Sequence, residues 1–278
     1  MARPDPAAAA HWAQPRHVPV ERFLLWIATV PLLLFLMLPA LIVVPMALTA
    51  GHILQFPPIW ISLHSFRDFF DDPLWVGSAI VSIKVAVLAV IIALAAGVSA
   101  AVALRGSNFV GKQAVVMIIL APLVVPLIVL AIADYLLFDE FDLLGSWVAL
   151  GIVDGLLGTP YVFIATQASL VGLRPALVRS AESLGAPPFA VLRHVYWPTL
   201  RPGVLSGMIF AFVASFDEVV IAFFLQTPTT TTLPVRMFNS IQYDMTPKLA
   251  AVSSLLLGLA VTILAAQTAL VSRRSAKG

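Results

Sequence analysis

The sequence contains no cysteine among its 278 residues, and it carries little charge. The absence of cysteine excludes disulfides, thiol catalysis and thiolate metal sites. Charged residues make up 11% of the chain, whereas soluble proteins contain about 25%. Because the cores of soluble domains stop growing near this chain length, burial in such a core cannot account for a chain that is 60% hydrophobic. The composition therefore predicts an integral membrane protein.

Six apolar segments are long enough to cross a bilayer, which takes about 20 helical residues. They cover roughly 23–50, 77–104, 114–133, 146–171, 204–226 and 249–271. The first is longer than the apolar core of a signal peptide, which has about 7–15 residues, so we expect it to be retained. The segments predict an all-α fold with one transmembrane domain, residues 23–272, between the tails 1–22 and 273–278.

The distribution of lysine and arginine predicts the orientation in the membrane. The two tails, the second connection and the fourth connection together hold twelve of these residues, whereas the remaining connections hold three. Because cytoplasmic segments are the ones enriched in lysine and arginine, we expect both termini in the cytoplasm. Acidic residues collect on the opposite side, where they form either a solvated face or a docking surface for a partner.

The fourth connection, residues 172–203, has a pattern of its own. Pro175 suits the first turn of a helix, and Gly185 suits the position just past its end. After Pro187 and Pro188, which block continuation, a second short helix can run from about residue 189 to 197. We expect two short helices at right angles, forming a knob at the cytoplasmic surface.

This connection resembles the coupling-helix motif, or EAA loop, of importer permeases of the ATP-binding-cassette class. When the two are aligned on Gly185, Ala181 matches the second alanine of the motif and Pro198 its terminal proline. Arg179 stands where the family has glutamate, and Glu182 comes too late in the chain to replace it. The resemblance implies that this segment couples the chain to an ATPase through the following residues: Ala181, Glu182, Leu184, Gly185, Ala186 and Pro198.

The resemblance extends over the chain from Phe23 onward. The strings Asp217-Glu218-Val219-Val220 and Leu233-Pro234-Val235-Arg236 look like those of polyamine- and opine-type permeases. This implies a type I importer permease in the bacterial inner membrane, assembled with a second permease, two ATPase subunits and an external solute-binding protein. Hydrolysis would then occur in the ATPase, so we expect neither an enzyme nor a cofactor, metal ion or nucleic acid bound to this chain.

Four ionisable residues fall inside predicted spans: Lys84, Asp154, Asp217 and Glu218. Because such groups are costly in a bilayer, each is a functional candidate, and all four lie at a similar predicted depth. The carboxylates can line a pathway for a cationic substrate, or Lys84 can neutralise one of them. Alternatively, since Asp217 and Glu218 are about 100° apart on a helix, one can face the pore and the other a partner subunit. Asp134 is expected at the outer surface.

The function expected from these features is ATP-driven import of a small amine-bearing solute, above all a polyamine such as spermidine or putrescine. The same machine could carry another solute, such as an amino acid, opine or phosphonate, and Lys84 beside carboxylates would suit a zwitterion. A proton-coupled secondary transporter using Asp154 and Glu218 is another alternative, although it leaves residues 172–203 without a role. A purely structural scaffold would leave the intramembrane charges unexplained.

Overall fold

The computed structural model describes residues 19–51 and 53–275. The predicted N-terminal tail lies almost wholly outside the described residues, as does the end of the predicted C-terminal tail. The described part is helical throughout except for turns and one isolated bridge between Thr49 and Ile61, which confirms the all-α prediction. Its helices are α1 Pro19–Ala47, α2 His64–Asp71, α3 Pro73–Leu104, α4 Lys112–Leu120, α5 Leu127–Glu140, α6 Trp147–Val171, α7 Pro175–Ser183, α8 Pro188–Val191, α9 Trp197–Phe216, α10 Val220–Leu225, α11 Leu233–Tyr243 and α12 Pro247–Ser275.

The described residues divide into two compact units, of which the first comprises residues 19–51, 53–67 and 246–275. In this unit α1 packs against α12, and Ala47, Ala250 and Ala251 are buried between them. The rest of α1 is apolar, with a mean hydropathy of 2.7 over Leu25–Ala47, and its most apolar stretch has no buried residue. Such a surface is suited to lipid or to another membrane helix.

The second unit, residues 68–245, is built around α3, α6 and α9. Glycines on α6 bring it very close to α3: a Cβ atom on Gly155 would lie 2.7 Å from Cβ of Ile92, and one on Gly151 would lie 2.8 Å from Leu88. Small residues allow membrane helices to approach in this way. Gly151 and Gly155 therefore form the face through which α6 packs against α3.

Local signals fix the beginnings of two long helices in this unit. Asp72 caps α3 by accepting a hydrogen bond from the backbone N–H of Leu74 at 3.0 Å, and Pro73 fits the first turn. Ser146 caps α6 in the same manner, at 3.3 Å from the N–H of Ala149. The two helices cover the predicted spans 77–104 and 146–171.

The predicted span 114–133 is not one straight helix. It is divided between α4 and α5, whose axes are bent by 95°. Pro122 and Pro126 lie in the break, and proline removes a helical hydrogen bond and clashes with the preceding turn. The helix restarts as α5 at Leu127 and runs to Glu140, beyond the predicted end of the span.

The predicted span 204–226 also differs from the structure. One continuous helix runs over residues 188–216, through α8, a wider π-helical turn at Leu192–Tyr196 and α9. The chain then leaves the helix at Asp217–Val219 and resumes as α10.

In the described part, four helices are long and apolar enough to cross a membrane, or five if the bent α4–α5 pair counts as one span. The apolar part of α12, Pro247–Thr262, is shorter.

Candidate functional site

Asp154 is a buried carboxylate in the middle of the second unit. It lies on α6 and is 2% exposed. One oxygen, Oδ2, accepts a hydrogen bond from the hydroxyl of Ser215 on α9 at 2.7 Å. The other oxygen, Oδ1, is buried and has no hydrogen-bond partner in the part of the chain that the structure describes. Asp154 therefore connects two core helices and retains one unused acceptor.

Glu218 lies in the break between α9 and α10 and is 8% exposed. Its Oε1 accepts the backbone N–H of Ile221 and its Oε2 that of Ala222, both at 2.8 Å. These N–H groups belong to the first turn of α10, where helical partners are lacking. Glu218 therefore caps α10 with both oxygens.

Asp217, the neighbour of Glu218, is exposed. Its backbone N–H closes the last turn of α9 on the carbonyl of Val213, at 3.0 Å. The two adjacent acidic residues therefore have different surroundings, one exposed and one buried, and both lie in the break between α9 and α10 rather than on one helix as expected.

Lys84 on α3 is exposed, and its Nζ lies 5.9 Å from the centre of the Trp147 ring. An ammonium group at this distance is attracted to the face of the ring. The described residues contain no salt bridge between Lys84 and Asp154, Asp217 or Glu218. The structure therefore does not bring Lys84 together with the carboxylates.

Asp134 was expected at the outer surface, but it lies near the middle of α5 and is half-buried. Its helix, α5, packs against α10, the helix that Glu218 caps. The reason for the difference is the restart of α5 after Pro126, which extends the helix beyond the predicted span. The two prolines in that span mark where the helix breaks, but proline also occurs inside the continuous helix α1, so it does not reveal the break by itself.

The coupling segment, which we define as residues 172–203, begins with the predicted helix. Pro175 opens α7, and Gly185, with φ +79°, follows its end. The N–H of Gly185 donates to the carbonyl of Glu182 at 2.9 Å, and that of Ala186 to the carbonyl of Ala181 at 3.1 Å. These two bonds form a Schellman motif, and the predicted helix end is confirmed.

The second half of the segment was expected to be a separate short helix, and this is wrong. The helix that begins at Pro188 continues into α9 without interruption. Pro198 stands in the first turn of α9, after a π-helical turn. Because a π turn already departs from the regular hydrogen-bond pattern, the proline that follows it does not end the helix.

The turn that joins the two halves presents apolar side chains. Leu184 is 87% exposed and Phe189 is 71% exposed. Glu182 beside them is also exposed, whereas Ala181 and Ala186 are half-buried within the turn. These two side chains are therefore available for contact with a partner.

Comparison with protein families decides the identity of the chain. Residues 93–277 match the family described as "Binding-protein-dependent transport system inner membrane component". The chain belongs to this family. It is the membrane permease subunit of an importer of the ATP-binding-cassette class, as the coupling segment implied, and a transport subunit rather than an enzyme.

Relatives of this permease have related names. The putrescine transport system permease protein PotI of Escherichia coli is 29% identical over 231 residues, which cover 81% of this chain and 82% of PotI. The spermidine/putrescine transport system permease protein PotC of Haemophilus influenzae is 29% identical over 199 residues, 71% of this chain and 77% of PotC.

A solved structure shares the fold of this permease. It is the crystal structure of a bacterial ABC transporter involved in the import of the acidic polysaccharide alginate, with a TM-score of 0.68 and 16% identity. The match covers 92% of this chain and 99% of that one. Membership of the family implies an inner-membrane location and partnership with an ATPase and a solute-binding protein.

Proposed function

We propose that this permease conducts a polyamine, such as putrescine or spermidine, or another small amine-bearing solute. The observation that carries the proposal is Asp217, an exposed carboxylate at a helix break, next to the buried Glu218 and two residues after Ser215, which binds the buried Asp154. An ammonium group needs an anionic partner, and the attraction grows as water is excluded. The names of PotI and PotC agree with this chemistry.

The three acids have different roles in this proposal. Asp217 contacts the ammonium group of the cargo directly, because it is the exposed member of the set. Glu218 holds the break in shape by capping α10, and Asp154 braces α6 against α9 through Ser215. The negative charge that attracts the cation comes from the exposed carboxylate of Asp217, while the carboxyl groups of Glu218 and Asp154 are engaged in hydrogen bonds.

The zwitterion alternative has less support than the amine proposal. It relied on Lys84 standing beside the carboxylates, but the Lys84 ammonium lies over the ring of Trp147. The likeness to the alginate transporter concerns the fold and carries no argument about cargo.

The coupling segment serves as the docking site for the ATPase. Leu184 and Phe189 are the exposed apolar groups that a groove on the ATPase would bury. The positive φ of Gly185 sets the direction of the turn that presents them. In the proposed assembly, two ATPase subunits each engage one permease, the second permease completes the pathway, and both termini of this chain lie in the cytoplasm.

Uptake of radiolabelled putrescine and spermidine tests the cargo. The host lacks its own polyamine importers and expresses this chain with its ATPase, second permease and binding protein. The expected result is uptake that falls about tenfold in Asp217→Asn, equivalent to about 1.4 kcal/mol of lost interaction. Asp139→Asn, an exposed acid at the end of α5, is the matched control and should transport normally. Unchanged uptake kinetics in Asp217→Asn would contradict the assigned role.

Affinity purification of the chain in mild detergent tests the assembly. Mass spectrometry should find an ATPase and a second permease in the purified complex, and Leu184→Ser should reduce recovery of the ATPase. Reproducible recovery of the chain alone would contradict the assembly.

A further inference from the structure

Arg105 joins the end of α3 to the beginning of the coupling segment. It is the residue that follows α3, and it is half-buried. Its Nη2 donates a hydrogen bond to the backbone carbonyl of Leu173, 68 positions further along the chain. Leu173 stands directly before Arg174, the N-cap residue of α7. The bond therefore fixes the point from which α7 starts.

An apolar cluster surrounds this bond and connects the same elements. Leu104 at the end of α3 and Leu173 are both buried in it, together with Leu200 of α9. Val178 of α7 and Tyr196 of the π-helical turn pack against the cluster. Both halves of the coupling segment are thus packed against the cytoplasmic end of α3.

A second donor of Arg105 is unused. Its Nη1 is buried and has no hydrogen-bond partner within the described ranges of the chain. A buried polar group without a partner is costly, so Arg105 is a candidate for a role beyond packing. Because guanidinium is a planar fork with several donors, it can keep a hydrogen bond to a carbonyl that shifts position.

The other basic residue of the same connection behaves differently. Nζ of Lys112 donates to the carbonyl of Ser107 at 2.9 Å, and the Ser107 hydroxyl donates to the carbonyl of Leu104 at 3.0 Å. These bonds stay within the α3–α4 connection. Lys112 is therefore a matched control for Arg105.

We propose that Arg105 is a positioning residue that transmits movement of the coupling segment to α3. The segment is covalently continuous with α6 and α9 but not with α3, so α3 meets the segment itself through a non-covalent link, in addition to its packing on α6 and α9. The guanidinium supplies that link at Leu173, and the apolar cluster keeps the bond away from water. This inference rests on the proposed docking of the ATPase at the coupling segment.

The absence of cysteine from the natural chain allows a direct test. Leu74, exposed in the first turn of α3, is replaced by cysteine in the complete transporter in nanodiscs. The rate of its modification by a polar maleimide is measured without nucleotide and in the vanadate-trapped state. We expect the rate to differ between the two states in the Leu74→Cys background and in Leu74→Cys with Lys112→Ala.

Arg105→Met removes the donors but keeps most of the side chain's length, so the complex should still assemble. In this variant the state-dependent difference in rate should shrink by about tenfold, within the range that couplings between sites commonly span. Arg105→Lys, which keeps one donor, should restore part of it.

An undiminished difference in Arg105→Met would overturn the inference and leave the proposed function intact. No difference in the Leu74→Cys background itself would show that α3 does not follow the ATPase, and would also overturn the inference. Failure of Arg105→Met to assemble while Arg105→Lys assembles would overturn it in favour of a purely structural role. Failure of the ATPase to associate with the unsubstituted chain would instead refute the proposed function.

Discussion

Replacing Ser215 by alanine removes the hydroxyl that donates to the buried carboxylate of Asp154 across 2.7 Å. After the change, neither oxygen of Asp154 would have a hydrogen-bond partner among the described residues. Leaving a buried acceptor without its donor costs about 1–3 kcal/mol, and more for a charged group. Because Asp154 is 2% exposed and Ser215 is 7% exposed, water does not readily replace the lost donor. We expect Ser215→Ala to lower the free energy of unfolding by about 2 kcal/mol.

A double-mutant cycle separates this hydrogen bond from other effects of the substitution. Asp154→Leu removes the acceptor, so Ser215→Ala should cost much less in that background. The difference between the two costs, the coupling energy, is expected to be about 1–2 kcal/mol, within the range found for contacting residues. Ser206→Ala, an exposed serine on the same helix, should change stability by less than about 0.5 kcal/mol.

The free energies of unfolding are measured by equilibrium unfolding of the purified chain in mixed detergent and SDS micelles, followed by circular dichroism. The measurement covers all four members of the cycle and the control. For independent sites, the costs of the two single substitutions add up to the cost of the double substitution within about 0.3–0.5 kcal/mol. Such additivity between Asp154→Leu and Ser215→Ala would refute the reasoning. The bond between α6 and α9 would then contribute nothing measurable.

Two further predictions concern glycines. Gly155→Ala should destabilise the fold by about 1–3 kcal/mol in the same unfolding assay, because its Cβ would lie 2.7 Å from Cβ of Ile92. Gly77→Ala is the control and should be neutral, because the space around Gly77 is open. Equal stabilities of the two variants would contradict the close packing. Gly185→Leu places a side chain at φ +79°, at a cost of about 1–2 kcal/mol, and should reduce stimulation of ATP hydrolysis by the loaded binding protein. Gly172→Ala, at a negative φ, should keep normal stimulation, and full stimulation in Gly185→Leu would count against the coupling role of the turn.

The long apolar helices could be predicted because the bilayer sets the length of apolar sequence that a span requires. The breaks could not be predicted from proline alone. Pro31 and Pro39 lie inside the continuous helix α1, whereas Pro122 and Pro126 lie in a bend of 95°. Membrane helices tolerate proline where neighbouring groups satisfy the freed carbonyls. The outcome therefore depends on packing that a single sequence does not reveal.

The candidate site was only partly predictable for a similar reason. The apolar runs around Asp154 and Glu218 predicted that both lie inside spans, and both are buried, but the hydroxyl that binds Asp154 lies 61 positions away in the chain. The capping role of Glu218 had a signal that was missed, namely an acidic residue directly before an apolar helix, which is a common arrangement at helix starts. An ionisable residue inside a span is costly, and for this reason Glu218 was interpreted as a functional charge rather than as a helix cap.

The continuous helix over residues 188–216 has a mechanical consequence. With 29 residues rising about 1.5 Å each, it is a rod about 44 Å long. About two thirds of the way along it, Gly207 lies so close to Val162 of α6 that a Cβ atom would come within 2.8 Å of the Val162 backbone. Displacement of the turn at Leu184 would be carried along this helix to its other end, at Phe216. Asp217 directly follows Phe216, so the same displacement would change the position of the Asp217 carboxylate.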